Sequence, residues 1–265
     1  MKAFSRIILY LFIFLIIFGG INLLISSFQE SYPWSKIIEG TYGTRAYKYI
    51  KNDYKVKIGI KNSFIIGIAA TFLSVLLAYP LAKKIKMVKA KKLLSAIVFL
   101  PFVIGGTSVG FGLQQIFLKM GLAGTTFGII FVQLAYIIPY AVWILLPGFE
   151  YISEDKIFAA KMLGAGTVDI ITEIIIPTMS PFILTALSMG FILSFSQYYL
   201  TIIIGIGLVE TYSTVIFPFI IVKDRALSSA MSLIFVALNL IFILIIQFIL
   251  GVIKRRKRWN FRVKK

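Results

Sequence analysis

The chain contains six runs of mostly apolar residues, and each run is long enough to cross a lipid bilayer. A transmembrane helix needs about 20 predominantly apolar residues, because each residue advances the helix by only about 1.5 Å. The runs therefore predict an all-α integral membrane protein with about six transmembrane helices. We place these helices at about Ile7–Ser27, Asn62–Ala82, Leu93–Leu118, Thr126–Leu146, Pro181–Ile204 and Ala226–Ile253.

Composition excludes most classes of soluble protein and of enzyme. Of the 265 residues, 59% are hydrophobic and 14% are charged, so a soluble domain would expose too much apolar surface. The net charge of +18 would suit a nucleic-acid binder, but the basic residues cluster at the ends of the apolar runs instead. The chain has no cysteine and no histidine, which removes most metal sites and most nucleophile–base pairs. We expect neither a metal site nor a nucleic-acid partner.

The positions of lysine and arginine predict the orientation of the helices. An even number of helices places both chain ends on one side of the membrane, and the side richer in Lys and Arg is cytoplasmic. Six lysines lie in Lys83–Lys92, and eight basic residues lie in the tail Lys254–Lys265, on the same side as Lys2 and Arg6. The N- and C-termini are therefore predicted to be cytoplasmic. The predicted outer loop Phe28–Lys61 also carries seven basic residues, but these are diluted among acidic ones.

These boundaries predict three parts of the chain. Residues 1–60 hold the first transmembrane helix and the outer loop, residues 61–253 form the transmembrane core, and residues 254–265 form a basic cytoplasmic tail. The first helix is expected to be retained, because its apolar run is longer than that of a signal peptide and the residues after it fit a cleavage site poorly. The chain is thus predicted to be a multi-pass protein of the bacterial cell membrane, in contact with lipid.

One polar insert interrupts the apolar pattern between the fourth and fifth runs. The link Pro147–Thr178 is predicted to be cytoplasmic and to contain a short helix of its own. Ser153 is a good N-cap for this helix, and the acidic residues that follow it, Glu154 and Asp155, suit the positive end of the helix dipole. The helix is expected to continue to about Leu163.

Glycine and proline predict where the helices of the insert end. Gly164 or Gly166 can supply the left-handed conformation in which many helices stop. Thr167 is a good cap for a second helix, which leads into Pro177. The insert is the one predicted cytoplasmic link with secondary structure of its own.

From the residues alone, two explanations of the first short helix stay open. A helix that is small and apolar on one face and charged on another suits a groove on a partner protein. The same pattern is typical of a helix that lies on lipid headgroups. The segment from Glu150 to Glu173 holds five acidic and two basic residues, and anionic lipid would repel it. This charge balance favours docking to a partner.

The insert resembles the EAA loop of permease subunits in binding-protein-dependent ABC importers of the type I fold. That pattern reads E-A-A, three residues, G, nine residues, I-x-L-P. Here "AAKMLG" begins at Ala159, nine residues follow it, and "IIIP" ends at Pro177, with Ile in place of Leu before the proline. Phe158 stands where the pattern has Glu. Flanking stretches such as "AYPLA" at 78–82 also resemble the family, so the likeness covers most of the chain from about Asn62 onward.

The resemblance implies a function. In such importers the loop forms a coupling helix, which sits in a cleft of a cytoplasmic ATPase and moves when an ATPase dimer closes on ATP. The chain would form half of a translocation pathway beside a second permease subunit. A small solute would be delivered by an extracytoplasmic binding protein. The residues expected to couple to the ATPase are Phe158, Ala159, Ala160, Leu163, Gly164 and Pro177.

The same resemblance bears on substrate and cofactors. The likeness is greatest to the polyamine, iron and thiamine branch of these permeases, which implies a polyamine, metal or vitamin-like substrate. The chain has no G-x-x-x-x-G-K-[ST] motif, so ATP and Mg are expected on the partner ATPase. We expect no cofactor and no enzymatic activity in this chain. Import rather than export is implied by the resemblance alone.

The stretch "SFSQYYLT" in the fifth run gathers hydroxyl, amide and aromatic groups on adjacent turns. Such groups can line a path for a solute, or they can form hydrogen bonds between packed helices. Both explanations stay open. The candidate path residues are Ser194, Ser196, Gln197, Tyr198 and Thr201.

Two other classes of function stay as alternatives. A stand-alone secondary transporter usually needs an ionisable residue inside the membrane, and the predicted spans have no Asp or Glu well inside them. An integral membrane enzyme needs paired carboxylates, histidine or a metal cluster at the interface. The neighbouring acids of the insert are better explained by helix capping. The residues therefore disfavour both alternatives.

Overall fold

The computed structural model describes residues 2–30, 41–222 and 224–263. These residues form helices joined by turns, apart from an isolated β-bridge between Gln29 and Tyr42, which confirms the all-α prediction. The middle of the predicted outer loop, residues 31–40, and the side chains of the basic tail lie outside the described part. The helices are α1 Lys2–Ser27, α2 Arg45–Asn52, α3 Tyr54–Met87, α4 Lys91–Ile104, α5 Gly106–Lys119, α6 Thr126–Tyr151, α7 Glu154–Met162, α8 Thr167–Asp169, α9 Ile176–Phe195, α10 Tyr199–Gly205, α11 Tyr212–Ile221 and α12 Arg225–Val263, and a π-helical segment, Ile170–Ile175, joins α8 to α9.

The apolar helices agree in number with the predicted spans. Within the described residues, five helical stretches are each long and apolar enough to cross a membrane. The helices α4 and α5 together form a sixth candidate span, which is broken by a bend of 73°. The protein is therefore a multi-pass membrane protein with five spans, or six when the broken pair is counted as one. The five unbroken stretches are Arg6–Ser27, Tyr54–Met87, Thr126–Tyr151, Thr167–Phe195 and Arg225–Ile249.

The third predicted span, Leu93–Leu118, is not a single helix. The chain turns at Gly105, whose φ of 86° lies in a region that residues with a Cβ rarely adopt. Pro101 weakens the preceding turns of α4, because proline has no N–H to donate. A nearby glycine serves close packing, since a Cβ on Gly110 would lie 3.0 Å from Leu200. Glycines in this run therefore serve both the break and the packing.

The fifth predicted span, Pro181–Ile204, also has different boundaries. This span begins within the insert and ends at Phe195, and the chain then leaves the helix before it resumes as α10. The hydroxyl of Thr201 donates to the carbonyl of Gln197 at 2.7 Å, and three β-branched isoleucines follow Thr201 in α10, which lowers the helix propensity of this segment. The sequence did not predict this break because the polar stretch Ser196–Tyr198 is short and apolar residues lie on both sides of it.

The described residues pack as two compact units. The first unit contains Met1–Ile60 and Thr211–Leu238. Within it the guanidinium of Arg45 binds both carboxylate oxygens of Asp224, at 2.9 and 3.1 Å. The apolar run Val215–Val222 forms most of α11, a helix of ten residues that is too short to span a bilayer.

The second unit contains Lys61–Glu210 and Asn239–Lys265, and its core includes a buried cluster from three helices. The cluster joins α3, α6 and α9 at the ends of these helices that lie next to the insert. It is apolar throughout, so it holds the insert on a rigid base. Its members are Val75, Ala78, Ala82, Ile85, Ala141, Val142, Leu145, Phe149, Ile152, Met179 and Ala186.

Two glycines bring α6 and α9 together as an antiparallel pair. A Cβ on Gly148 of α6 would lie 2.7 Å from the ring of Phe182, near the start of α9. A Cβ on Gly190, near the end of α9, would lie 3.2 Å from Ile137 of α6. Lipid is as apolar as the helices, so close van der Waals packing at small residues stabilises such a pair.

The packing at Gly148 predicts the outcome of a substitution. Gly148→Leu is expected to lower the melting temperature of the purified chain by several degrees, because overpacking costs about 1–3 kcal/mol. Gly19→Leu in α1 is the matched control, since no atom lies within 4 Å of a Cβ there. Thermal unfolding in detergent checks both variants. Equal melting temperatures for the two variants would contradict the packing.

Candidate functional site

The insert folds into the short helix α7, which lies between the end of α6 and the segment that leads into α9. Ser153 occupies the predicted N-cap position with an extended backbone, but its side chain makes no capping hydrogen bond. Glu154 and Asp155 form the first turn, where the helix dipole favours negative charge. The start of α7 therefore depends on charge rather than on a side-chain cap.

The end of α7 is closed by a Schellman motif. The N–H of Ala165 donates to the carbonyl of Ala160, and the N–H of Gly164 donates to the carbonyl of Lys161, both at 3.0 Å. Gly164 has a φ of +85°, the left-handed conformation that this motif requires. The structure thus gives two predicted coupling residues, Ala160 and Gly164, a definite part in ending the helix.

The two faces of α7 differ in burial. Ile157 packs against the buried cluster beneath the insert and attaches the helix to its base. Three large apolar side chains on the opposite side of α7 and at its C-cap are exposed: Phe158 is 66% exposed, Met162 73% and Leu163 89%. A group of large apolar side chains on a short polar loop is typical of an interaction site. We call these three side chains the α7 patch.

The second helix of the insert begins one residue earlier than predicted. Gly166, not Thr167, is the N-cap, and its N–H donates to the carboxylate of Asp169 at 3.0 Å. A π-helical segment, Ile170–Ile175, follows and leads to Pro177. Proline cannot donate to the carbonyl four residues before it, and its ring would clash with that carbonyl. The wider π turn accommodates the proline, so the chain continues into α9 without stopping.

A cavity of about 380 Å³ opens beside α7. Its apolar lining includes Ile174 of the π-helical segment and Pro177 and Phe182 of α9. Ser153 and Lys156 add a hydroxyl and an ammonium group on the α7 side. The cavity thus lies within the same loop as the α7 patch, beside the residues at the start of α7.

Two lysines, one at the end of α3 and one at the start of α4, bind residues at the start of the insert. The ammonium group of Lys86 donates to the carbonyl of Ile152 at 3.2 Å, directly before the N-cap of α7. Lys91 forms an ion pair with Glu150 at 2.9 Å. The sequence predicted neither contact, because the partners are 66 and 59 residues apart and no local pattern links them.

The structure separates the candidate path residues into two groups. Ser194 and Thr201 are buried: the Ser194 hydroxyl donates to the Gln133 side chain of α6, and the Thr201 hydroxyl donates to the backbone carbonyl of Gln197 in the break before α10. Ser196, Gln197 and Tyr198 lie where the chain leaves the helix between α9 and α10. The first group therefore makes packing contacts, and the second group lies at a break in a membrane helix.

The breaks in the two membrane helices lie close together. A Cβ on Gly106, beside the bend between α4 and α5, would lie 3.8 Å from Leu200 and 3.7 Å from the ring of Tyr136. Leu200 is in the first turn of α10, directly after the second break. Non-helical backbone at membrane depth is tolerated where protein buries it or where it lines a cavity. The two breaks therefore mark one region of the unit.

Charged groups are sparse in the spans. Among the described stretches long enough to cross a membrane, carboxylates occur only at Glu150, Asp169 and Glu173, all in or beside the insert. No group of three or more His, Cys, Asp or Glu side chains in the described part of the chain is placed to hold a metal ion. The insert therefore remains the main concentration of acidic groups.

Comparison with known proteins gives a family match and several relatives. The sequence model of the family described as "Binding-protein-dependent transport system inner membrane component" matches residues 86–259. The molybdenum transport system permease protein ModB of Azotobacter vinelandii is 29% identical over 140 residues, which are 48% of this chain and 62% of ModB. The spermidine/putrescine transport system permease protein PotC homolog of Mycoplasma pneumoniae is 25% identical over 61% of this chain and 58% of its own length.

A third relative and two solved structures complete the comparison. The trehalose/maltose transport system permease protein MalG of Thermococcus litoralis is 27% identical over 52% of this chain and 51% of its own length. The chain thus spans roughly half to three fifths of the relatives it matches. A chain of a bacterial ABC transporter that imports alginate has a TM-score of 0.67 at 16% identity, over 93% of this chain and 95% of that one. The same kind of transporter in complex with an alginate pentasaccharide-bound periplasmic protein gives a TM-score of 0.68, over 93% of each chain.

The conformation of Gly164 predicts how the end of α7 responds to substitution. Gly164→Val is expected to speed amide exchange in α7 about 5- to 30-fold, because a side chain in the left-handed region costs about 1–2 kcal/mol. No atom lies within 4 Å of a Cβ at this position, so the effect comes from the backbone rather than from a clash. Gly164→Asn is the control, since Asn tolerates this conformation, and should exchange more slowly than the Val variant. Hydrogen exchange with mass spectrometry checks both, and equal rates would contradict the assignment.

Proposed function

The chain belongs to the family of binding-protein-dependent transport system inner membrane components, and from this membership we propose that it is the permease subunit of an ATP-driven importer. It forms half of a translocation pathway, and a second permease subunit, either the same or a related chain, forms the other half. ATP hydrolysis takes place in a separate ATPase dimer, so this chain is not itself an enzyme. The chain is located in the bacterial cell membrane.

The observation that carries the proposal is the exposed α7 patch. Phe158, Met162 and Leu163 are between 66% and 89% exposed, although Ile157 of the same helix packs against the buried cluster. Burial of one large aliphatic side chain contributes about 1.5–3 kcal/mol, so the patch gains most when a partner covers it. We assign α7 as the coupling helix and the ATPase as the partner that covers it.

The departure from the family pattern changes the chemistry expected of that partner. Phe158 replaces the Glu of the pattern, so this position contributes an apolar ring instead of a carboxylate. Burial of a charged group of the ATPase against the ring would be unfavourable without a paired charge. The ATPase cleft is therefore apolar where it meets Phe158. The nearby cavity lined by Ile174, Pro177 and Phe182 receives one further apolar side chain.

The mechanism follows from how α7 is attached. Closure of the ATPase dimer on ATP displaces α7, and the Ile157 contact and the Schellman motif keep the helix intact as it moves. α6 enters the insert and α9 leaves it, so the displacement reaches both packed helices together. ATP binding thus shifts the population between two arrangements of the bundle. The size of the shift is limited by the difference in affinity for ATP between these two arrangements.

An extracytoplasmic binding protein supplies the solute in this proposal. One of the structures with a similar fold is a transporter in complex with a substrate-bound periplasmic protein, which supports the expectation for this chain. The relatives are named for molybdenum, for trehalose and maltose, and for spermidine and putrescine. We propose a small solute of the polyamine, metal or vitamin-like kind, selected mainly by the binding protein.

The translocation path passes the region where the two broken helices meet. Ser196, Gln197 and Tyr198 supply hydroxyl and amide groups there, between α9 and α10. Broken helices near the centre of a bundle are a recurring way to present polar groups to a solute in transporters. Ser194 and Thr201 support this region by their hydrogen bonds to Gln133 and to the backbone.

The assignment of α7 predicts the effect of one charge in the patch. Leu163→Asp should weaken binding of the partner ATPase at least about 10-fold, because it removes apolar burial and adds a carboxylate to the contact. Leu208→Asp is the matched control, since Leu208 is also exposed, at 73%, but lies in the turn after α10. Pull-down of the ATPase from native membranes, with equal amounts of each variant, measures the effect. Equal recovery with both variants would refute the assignment of α7.

The assignment of the path predicts a second difference between matched variants. Gln197→Leu should slow uptake several-fold, because it removes an amide from the proposed path. Gln247→Leu makes the same chemical change at an exposed position of α12 and should leave uptake unaffected. Solute uptake by vesicles that contain the complete transporter gives the measurement. Unchanged uptake in the Gln197 variant would show that this residue does not line the path.

A further inference from the structure

The segment Lys83–Lys92 between α3 and α4 carries six lysines in ten residues. α3 ends at Met87 and α4 begins at Lys91, so a turn of only three residues joins the two helices. We call Lys83–Lys92 the basic hairpin. Both helices that it joins enter membrane-spanning stretches, which places the hairpin at the edge of the bilayer.

Two lysines of the basic hairpin hold the start of the insert. Lys86 donates to the carbonyl of Ile152, and Lys91 pairs with Glu150, both just before α7. Ile85, the residue before Lys86, is buried in the same cluster as Ile152. The position of the hairpin and the position of the first residues of the insert are therefore linked by one apolar and two polar contacts.

The other four lysines of the hairpin point outward. Their side chains are exposed and form no ion pair or hydrogen bond with any residue that the structure describes. Like charges this close together repel one another, and the repulsion falls when a counter-charge is supplied from outside. These lysines are Lys83, Lys84, Lys89 and Lys92.

Exposed apolar side chains are interleaved with these lysines. Met87 is 71% exposed and Val88 42%, at the tip of the hairpin, and Leu93 is 64% exposed just after it. Alternation of lysine with exposed apolar residues is typical of an element that lies at headgroup level, with apolar groups toward the acyl chains and ammonium groups toward phosphate. This pattern favours a lipid surface over the acidic surface of a soluble partner.

We propose that the basic hairpin binds the headgroups of anionic phospholipids, and that the bound headgroups hold the insert in position through Lys86 and Lys91. Anionic lipid neutralises the four outward lysines and fixes the hairpin at the membrane surface. The hairpin then fixes Ile152 and Glu150, and with them the first turn of α7. In a membrane without anionic lipid the hairpin is held less firmly, and α7 opens more often.

The test uses the full chain in nanodiscs of phosphatidylcholine, with or without phosphatidylglycerol. Amide exchange in Glu154–Met162 is expected to be about fivefold slower when phosphatidylglycerol is present. A variant with Gln at Lys83, Lys84, Lys89 and Lys92 should lose that difference and should retain less phosphatidylglycerol after extraction. This test needs no ATPase, binding protein or substrate, so its outcome is independent of the proposed transport function.

Two control variants separate lipid binding from its effect on the insert. Substitution of Gln for four exposed lysines near the other end of α3, Lys48, Lys51, Lys57 and Lys61, makes the same change in charge and should keep the full lipid effect. Lys86→Gln should retain phosphatidylglycerol but exchange fast in both lipid mixtures, because it removes the contact with Ile152.

Three results would overturn the proposal. The first is a native chain whose exchange is the same in both lipid mixtures, as expected if the hairpin binds an acidic protein surface instead. The second is a hairpin variant that loses phosphatidylglycerol but keeps slow exchange in α7. The third is an equal loss of the lipid effect in the control with four substituted lysines, since that would be a response to net charge alone.

Discussion

The close antiparallel packing of α6 against α9 is the contact on which the rest of the second unit depends. Both helices are apolar, and lipid offers the same environment to each, so van der Waals contact and buried hydrogen bonds must hold them together. Gly148 and Gly190 permit the contact near its two ends, and the hydrogen bond from Ser194 to Gln133 adds a polar link within it. Because the insert joins these two helices, anything that moves α7 acts on a single packed body.

The insert itself is stabilised mostly by local backbone geometry. The Schellman motif at Gly164, the hydrogen bond from Gly166 to Asp169 and the π turn before Pro177 each satisfy or bypass backbone groups within a few residues. The apolar side chains of the α7 patch are thereby left free for a partner. A loop that is ordered before it binds loses less conformational entropy on binding, which suits a part that must transmit movement.

How much could be predicted from the sequence differs between local and distant features. The spans follow from apolar length, and an end of α7 at Gly164 or Gly166 follows from helix-capping rules, so both features could be predicted from short stretches of sequence. The breaks at Gly105 and after Phe195 were missed, because each lies within a long and mostly apolar run and tertiary packing decides where the helix ends. Contacts such as Lys86 to Ile152 leave no local pattern, so only the folded chain reveals them.

Binding of the ATPase at α7 can be tested by cross-linking. The chain has no cysteine of its own, so Leu163→Cys and Leu208→Cys each provide a single thiol. A short thiol-reactive cross-linker is added to native membranes, and the products are identified by mass spectrometry. We expect an ATPase adduct from the Leu163 variant and none from the Leu208 variant. An accessible thiol at position 163 that gives no ATPase adduct, or an ATPase adduct from position 208, would contradict binding of the ATPase at α7.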